Sequence, residues 1–131
     1  MTTRNVEVMD TIVSMLAEGK KLSKALNLVY TKRNVMIPFT EEMLDVRVTD
    51  LGMSSRTANA LMRAHLRTVN EVVEFCKNER VSKIKNIGTS SCIELLEAIL
   101  DHCWSVMNNV ERTDFLKDTV VRNARYLREG F

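Results

Sequence analysis

The chain has 131 residues, about the length of one domain. Apolar residues make up 45% and aromatics 5%, with eight methionines and one proline, a profile that excludes wholesale disorder and disfavours a strand-rich sandwich. Nineteen basic and 17 acidic residues leave a net charge of only +2, so any surface for a polyanion has to be local.

Val6, Met9, Ile12, Val13 and Leu16 recur with the 3.6-residue period, which predicts a helix from about Val6 to Glu18. Gly19 is placed to end it, with Lys20 and Lys21 near the negative end of the dipole. Leu22, Ala25, Leu26 and Val29 carry a second helix, expected to end near Lys32. The pair reads as an αα-hairpin; half of a DNA-reading helix-turn-helix is the rarer alternative. Asn34 to Phe39 is an extended connector, because Pro38 forces Ile37 out of helical geometry. Thr40 followed by Glu41 and Glu42 is a cap with an acidic first turn.

Ser54 or Ser55 caps a helix that carries Arg56, Ala58, Asn59, Leu61, Met62 and Leu66. Thr68 and Glu71 have capping-box spacing ahead of Val69, Val72, Val73 and Cys76. Val81, Ile84 and Ile87 make one more turn before Gly88. The strongest stripe follows: Cys92, Leu95, Leu96, Ile99 and Cys103, with Trp104 or Met107. Val110 to Leu127 is a last amphipathic helix with Phe115, Leu116, Val120, Val121 and Ala124 on its apolar side. An all-α protein is therefore expected. Its compact helical domain contains a helix-hairpin-helix-like module over residues 40–107, preceded by a helical hairpin and connector, 1–39, and followed by a helix, 108–131.

Three cysteines, Cys76, Cys92 and Cys103, are an odd number without Cys-x-x-Cys spacing, and neither His65 nor His102 stands at ligand spacing from them. No disulfide framework, metal or cofactor is expected, and a reducing cytoplasm is the natural compartment. There is no recognisable signal peptide and no run near the roughly 20 apolar residues of a membrane span. Carboxylates are scattered as pairs such as Glu41-Glu42, and neither a nucleophile elbow nor a Gly-rich phosphate loop occurs, so no catalysis is expected.

Two motifs carry chemistry. Arg56 and Asn59 lie one helical turn apart, suited to reaching into a groove lined by acceptors. Asn86-Ile87-Gly88-Thr89-Ser90-Ser91 opens the strongest helix. A glycine there permits the positive φ of a tight hairpin and brings unpaired N–H groups to the positive end of the dipole, which suits a phosphate. Glu94 is placed to hold Arg56 extended. Taken singly these residues are ordinary: Arg56 a solvated charge, Gly88 a hinge, Ser90 and Ser91 helix caps. Arg63 and Arg67 form a basic stripe, and Lys83 and Lys85 precede the hairpin; these four are secondary basic candidates.

The Arg56-Thr57-Ala58-Asn59-Ala60-Leu61 run, the Thr68 to Val73 helix start and the Asn86 to Ser91 hairpin with Glu94 together resemble the C-terminal domain of the bacterial RNA polymerase alpha subunit, over about Val48 to Trp104. The resemblance implies a compact helical domain with a helix-hairpin-helix that binds the minor groove of A·T-rich promoter DNA and offers surfaces to activators and sigma factor. It implies a groove-reading role for Arg56 with Asn59, a hairpin glycine at Gly88, a phosphate-binding serine at Ser91 and a bracing glutamate at Glu94. Two positions depart: Ser90 stands where the family usually has a phosphate-contacting lysine, and Ala60 where it often has cysteine. Each lost cationic phosphate contact removes a counterion-release contribution, which Lys83 and Lys85 are placed to offset.

The expectation is a small, non-enzymatic, DNA-binding or transcription-associated protein, bacterial or phage-encoded. The length leaves no room for the polymerase subunit's assembly domain, so a separate regulator is expected rather than the subunit. Double-stranded A·T-rich DNA is the expected partner. The competing reading is a protein-interaction module that has lost DNA affinity and docks on RNA polymerase, on sigma factor or on a second copy of itself.

Overall fold

A computed structural model describes residues 1–31, 35–80 and 83–129. The protein is all-α: among the described residues there are seven α-helices and two short 3₁₀ helices, with two isolated β-bridges in place of any sheet. In order these are α1 (Thr3–Ala17), α2 (Leu22–Val29), α3 (Glu41–Leu44), a 3₁₀ turn (Val48–Leu51), α4 (Ser55–Arg63), α5 (Val69–Asn78), α6 (Thr89–Val106), α7 (Asn109–Arg122) and a second 3₁₀ turn (Ala124–Tyr126).

Local chemistry sets most boundaries. Thr2 caps α1 by accepting from the Asn5 N–H at 3.1 Å. Gly19, at φ +94°, ends the helix: its N–H reaches Leu16 and the N–H of Lys20 reaches Met15, the paired bonds of a left-handed C-terminal cap. Thr40 accepts from Met43 N–H at 3.3 Å as anticipated. Thr68 caps α5, but the Glu71 carboxylate accepts from the N–H of Arg67 rather than closing the box on Thr68. A complete capping box starts α7, where Asn108 and Glu111 exchange bonds of 2.9 and 3.0 Å. The predicted ends near Lys32 and at Val81 and Asn34 lie outside the described residues, although α2 already closes at Val29.

The protein divides into two compact units, Met1–Pro38 with Trp104–Phe131, and Phe39–Cys103. In the terminal unit α1 packs on α2 and α7 around Val8, Ile12, Leu26, Val29, Phe115 and Val120. Asn123, wholly buried, donates to Met36 O and Thr119 O and accepts from the Met36 N–H at 2.7 Å, tying the connector to the end of α7. Five of the eight α2 residues are buried, which leaves little of this helix to read a DNA groove. In the central unit Met43, Val48, Leu61, Val69, Val72, Ile84, Ile87, Leu95 and Ile99 form the core. A two-way link, Val48 N–H to Arg67 O and Val69 N–H to Val46 O, each 2.9 Å, holds the first 3₁₀ turn against the start of α5.

Candidate nucleic-acid interface

α4 starts at a cap. Ser54 takes that place with extended backbone, and its hydroxyl faces the N–H of Thr57 at 3.5 Å. Two hydrogen bonds lead from this cap to α6, because the Ser54 N–H and hydroxyl both donate to Glu94 Oε1, at 3.0 and 2.9 Å. A third lies one residue beyond Arg56. Thr57, 1% exposed, donates from its hydroxyl to Ser91 Oγ at 3.0 Å. The first turns of α4 and α6 are therefore joined, and Arg56, one residue before Thr57, is exposed.

Glu94 does not brace Arg56. Its carboxylate is committed to the α4 cap, and among the described residues no carboxylate lies within ion-pair distance of Arg56. The reason is geometric: a bare N–H and a hydroxyl at a helix N-terminus offer two donors at once, together with the positive dipole end. Partial burial works against ionisation of Glu94, yet the bonds from Ser54 and Thr57 hold its pKa below the ordinary glutamate value. The negative charge here fills the N-terminus of α4. That of α6 is left open.

Gly88 also differs from expectation. The left-handed residue of the hairpin is Asn86, at φ +69°, and Gly88 is not in that region. Asparagine tolerates this conformation better than most side-chain-bearing residues, so the left-handed residue comes two positions earlier. Gly88 instead occupies the cap position of α6, where its carbonyl accepts from the Cys92 N–H at 3.0 Å. A Cβ added at Gly88 would meet nothing within 4 Å. Neither φ nor internal packing requires glycine here, so its bareness leaves the first N–H groups of α6 accessible from outside.

The other candidates sort by exposure. Arg56, Asn59, Gly88 and Ser90 are exposed, while Ser91 and Glu94 are half-buried. Ser91 shares a hydroxyl–hydroxyl hydrogen bond of 3.0 Å with Thr57. Arg63 curls back so that its Nε donates to Asn59 O at 3.4 Å, and Arg67, Lys83 and Lys85 are exposed. Sequence reasoning missed Ser54 and Thr57 as the pair that joins the two motifs. The signal was the Ser54-x-x-Thr57 cap spacing, read only as the start of a helix.

These features define a class: an all-α protein whose central unit sets an unneutralised arginine beside an open helix N-terminus. Residues 37–101 match the family described as the C terminal domain of the bacterial RNA polymerase alpha chain, and over that stretch this protein resembles it. The DNA-directed RNA polymerase subunit alpha of Tropheryma whipplei (strain Twist) is 33% identical over 79 residues, covering 60% of this chain and 24% of that subunit. The same subunit of Syntrophomonas wolfei is 30% identical over 94 residues, 68% of this chain and 29% of the subunit. That of Hydrogenobaculum sp. is 28% identical over 116 residues, 84% and 36%. The protein thus spans between 24% and 36% of the length of these relatives. No solved structure matches it significantly. Among the described residues no group of three metal-binding side chains occurs, and no helix is long and apolar enough to cross a membrane.

Proposed function

We propose that this is a non-enzymatic, transcription-associated DNA-binding protein that holds A·T-rich duplex through the adjoining N-terminal turns of α4 and α6. The observation that supports this reading is the Thr57–Ser91 hydrogen bond with the Ser54–Glu94 pair, since it joins the turn of α4 that carries Arg56 to the first turns of α6. On this reading a backbone phosphate sits on the first N–H groups of α6, with Ser91 donating to it. Arg56 enters the minor groove, where A-tracts concentrate negative potential, and Asn59 bonds acceptor edges or sugar oxygens from one turn on. Lys83 and Lys85 take up part of the phosphate contact that Ser90 does not make, and Arg63 and Arg67 lie in reach of the flanking backbone.

A gel shift of the full chain on A·T-rich and G·C-rich duplexes, at two salt concentrations, tests this. The expected result is tighter binding to the A·T-rich duplex, weaker at high salt. Arg56→Ala should cost about 1–3 kcal/mol and erase most of the A·T preference. Absence of binding at low salt, or an Arg56→Ala protein that binds like its parent, would overturn the proposal in favour of a protein-docking role.

A further inference from the structure

α1 carries more apolar surface than its own unit buries. Val8 and Ile12 are wholly buried, whereas Val13, on the next stripe round the helix, is 47% exposed. With Met9 and Leu16 at helical spacing, Val13 forms one wall of an open groove of about 530 Å³. Leu116 of α7 and Trp104 complete the apolar surface. All of these residues belong to the terminal unit. A groove of this size admits a few large side chains rather than a flat protein face.

The charged residues that line the groove have one sign. Its charged lining residues are Lys20 and Arg112, and no carboxylate lines it. Arg112 is held in place: its Nε donates to Trp104 O at 3.0 Å and its guanidinium lies 4.8 Å from the Trp104 ring centroid. Those contacts use one nitrogen and one face of the guanidinium, leaving the two terminal nitrogens as a preorganised fork for a carboxylate. They also cover one face of the indole, which disqualifies Trp104 as an open platform for a stacked base, and no other aromatic side chain lines the groove.

We propose that this groove docks an acidic amphipathic segment of a partner protein. The segment's apolar side chains enter between Val13 and Leu116, and its carboxylates meet Arg112 and Lys20. The occupant follows from charge complementarity, since a groove with an apolar floor and an unneutralised cationic rim selects apolar residues flanked by Asp or Glu. The proposal stands apart from the DNA-binding reading, because none of its residues belongs to the Arg56 and Gly88 surface.

Selection from a random peptide library on the full chain, with Val13→Glu as counter-selection, supplies the probe; titration of the winning peptide, followed by tryptophan emission, supplies the test. Trp104 is the sole tryptophan of the sequence, so its emission reports occupancy directly. Val13 and Lys20 are exposed, so Val13→Glu and Lys20→Glu should keep the fold, which circular dichroism checks. The expected peptides combine acidic with large apolar residues and shift the Trp104 emission. Lys20→Glu should weaken them by about tenfold or more, because like charges then face each other across the rim. Peptides without acidic residues, equal enrichment on Val13→Glu, or an unmoved emission would overturn the proposal. So would displacement of the peptide by single-stranded DNA, or a dimer in sedimentation that Val13→Glu dissolves.

Discussion

Gly88 separates a structural from a functional need for glycine. Its φ is ordinary and its neighbourhood is empty, so Gly88→Ala should cost stability less than about 1 kcal/mol, the difference between glycine and alanine at a helix cap. On the proposed DNA-binding reading, affinity should fall far more, since the added methyl would stand in the path of the phosphate backbone; urea unfolding and a gel shift on the same protein make the comparison. Equal, small effects on both would show that nothing approaches this turn closely. His65 is the converse case. It sits at φ +61° after α4, its N–H bonding Met62 and that of Leu66 bonding Leu61, so it occupies the position glycine usually fills. His65→Gly relieves that strain against a higher entropy cost in the unfolded state, and a net gain of roughly 0.5–1 kcal/mol is expected in urea unfolding.

At the scale of elements, the junction of α4 with α6 depends on one ionised carboxylate. Glu94 has its pKa lowered in the folded protein, so its stabilising contribution is complete above the ordinary glutamate value of 4.5 and is lost as pH falls through the lower, folded value. Unfolding midpoints measured from neutral pH into that acidic range should fall more steeply for the parent than for Glu94→Gln. The variant still accepts a bond from Ser54 but no longer titrates. Parallel curves would mean that Glu94 is not held by the α4 cap in solution. The same junction explains why the two motifs read separately in the sequence. Arg56 and Gly88 lie on either side of α5 in the sequence, and hydrogen bonds of Ser54 and Thr57 to Glu94 and Ser91 bring their helix starts together.

For the whole molecule, the terminal unit is built from both ends of the sequence, and Asn123 is one of its polar ties, beside the hydrogen bonds that join Val29, Tyr30 and Thr31 to Tyr126 and Arg128. Replacing it with alanine removes three side-chain hydrogen bonds and leaves the Met36 N–H and carbonyl without that partner, while Thr119 O keeps the Asn123 backbone N–H, so Asn123→Ala should cost about 1–3 kcal/mol, read as a drop in thermal midpoint. A drop within the range of surface substitutions would mean that the connector is held by apolar packing alone. Much of the architecture was legible beforehand. The apolar period of α1 and α6, the cap at Thr40, the stop at Gly19 and the absence of alternating strands are local patterns, and local patterns act within a few residues. The period of α1 predicts a helix but not which of its apolar residues are covered: Val6 and Val13 are exposed, because periodicity reports an apolar face without reporting how much of it a neighbour covers. The sequence by itself determined the helical class, the candidate residues at each helix start and the likeness to the alpha C-terminal domain. Only the tertiary structure decided that Glu94 serves Ser54 instead of Arg56, that Asn86 rather than Gly88 takes the left-handed turn, and that the first and last segments fold together. Each of those outcomes is a choice among partners far apart in sequence, settled by which donor packing brings within about 3 Å of which acceptor.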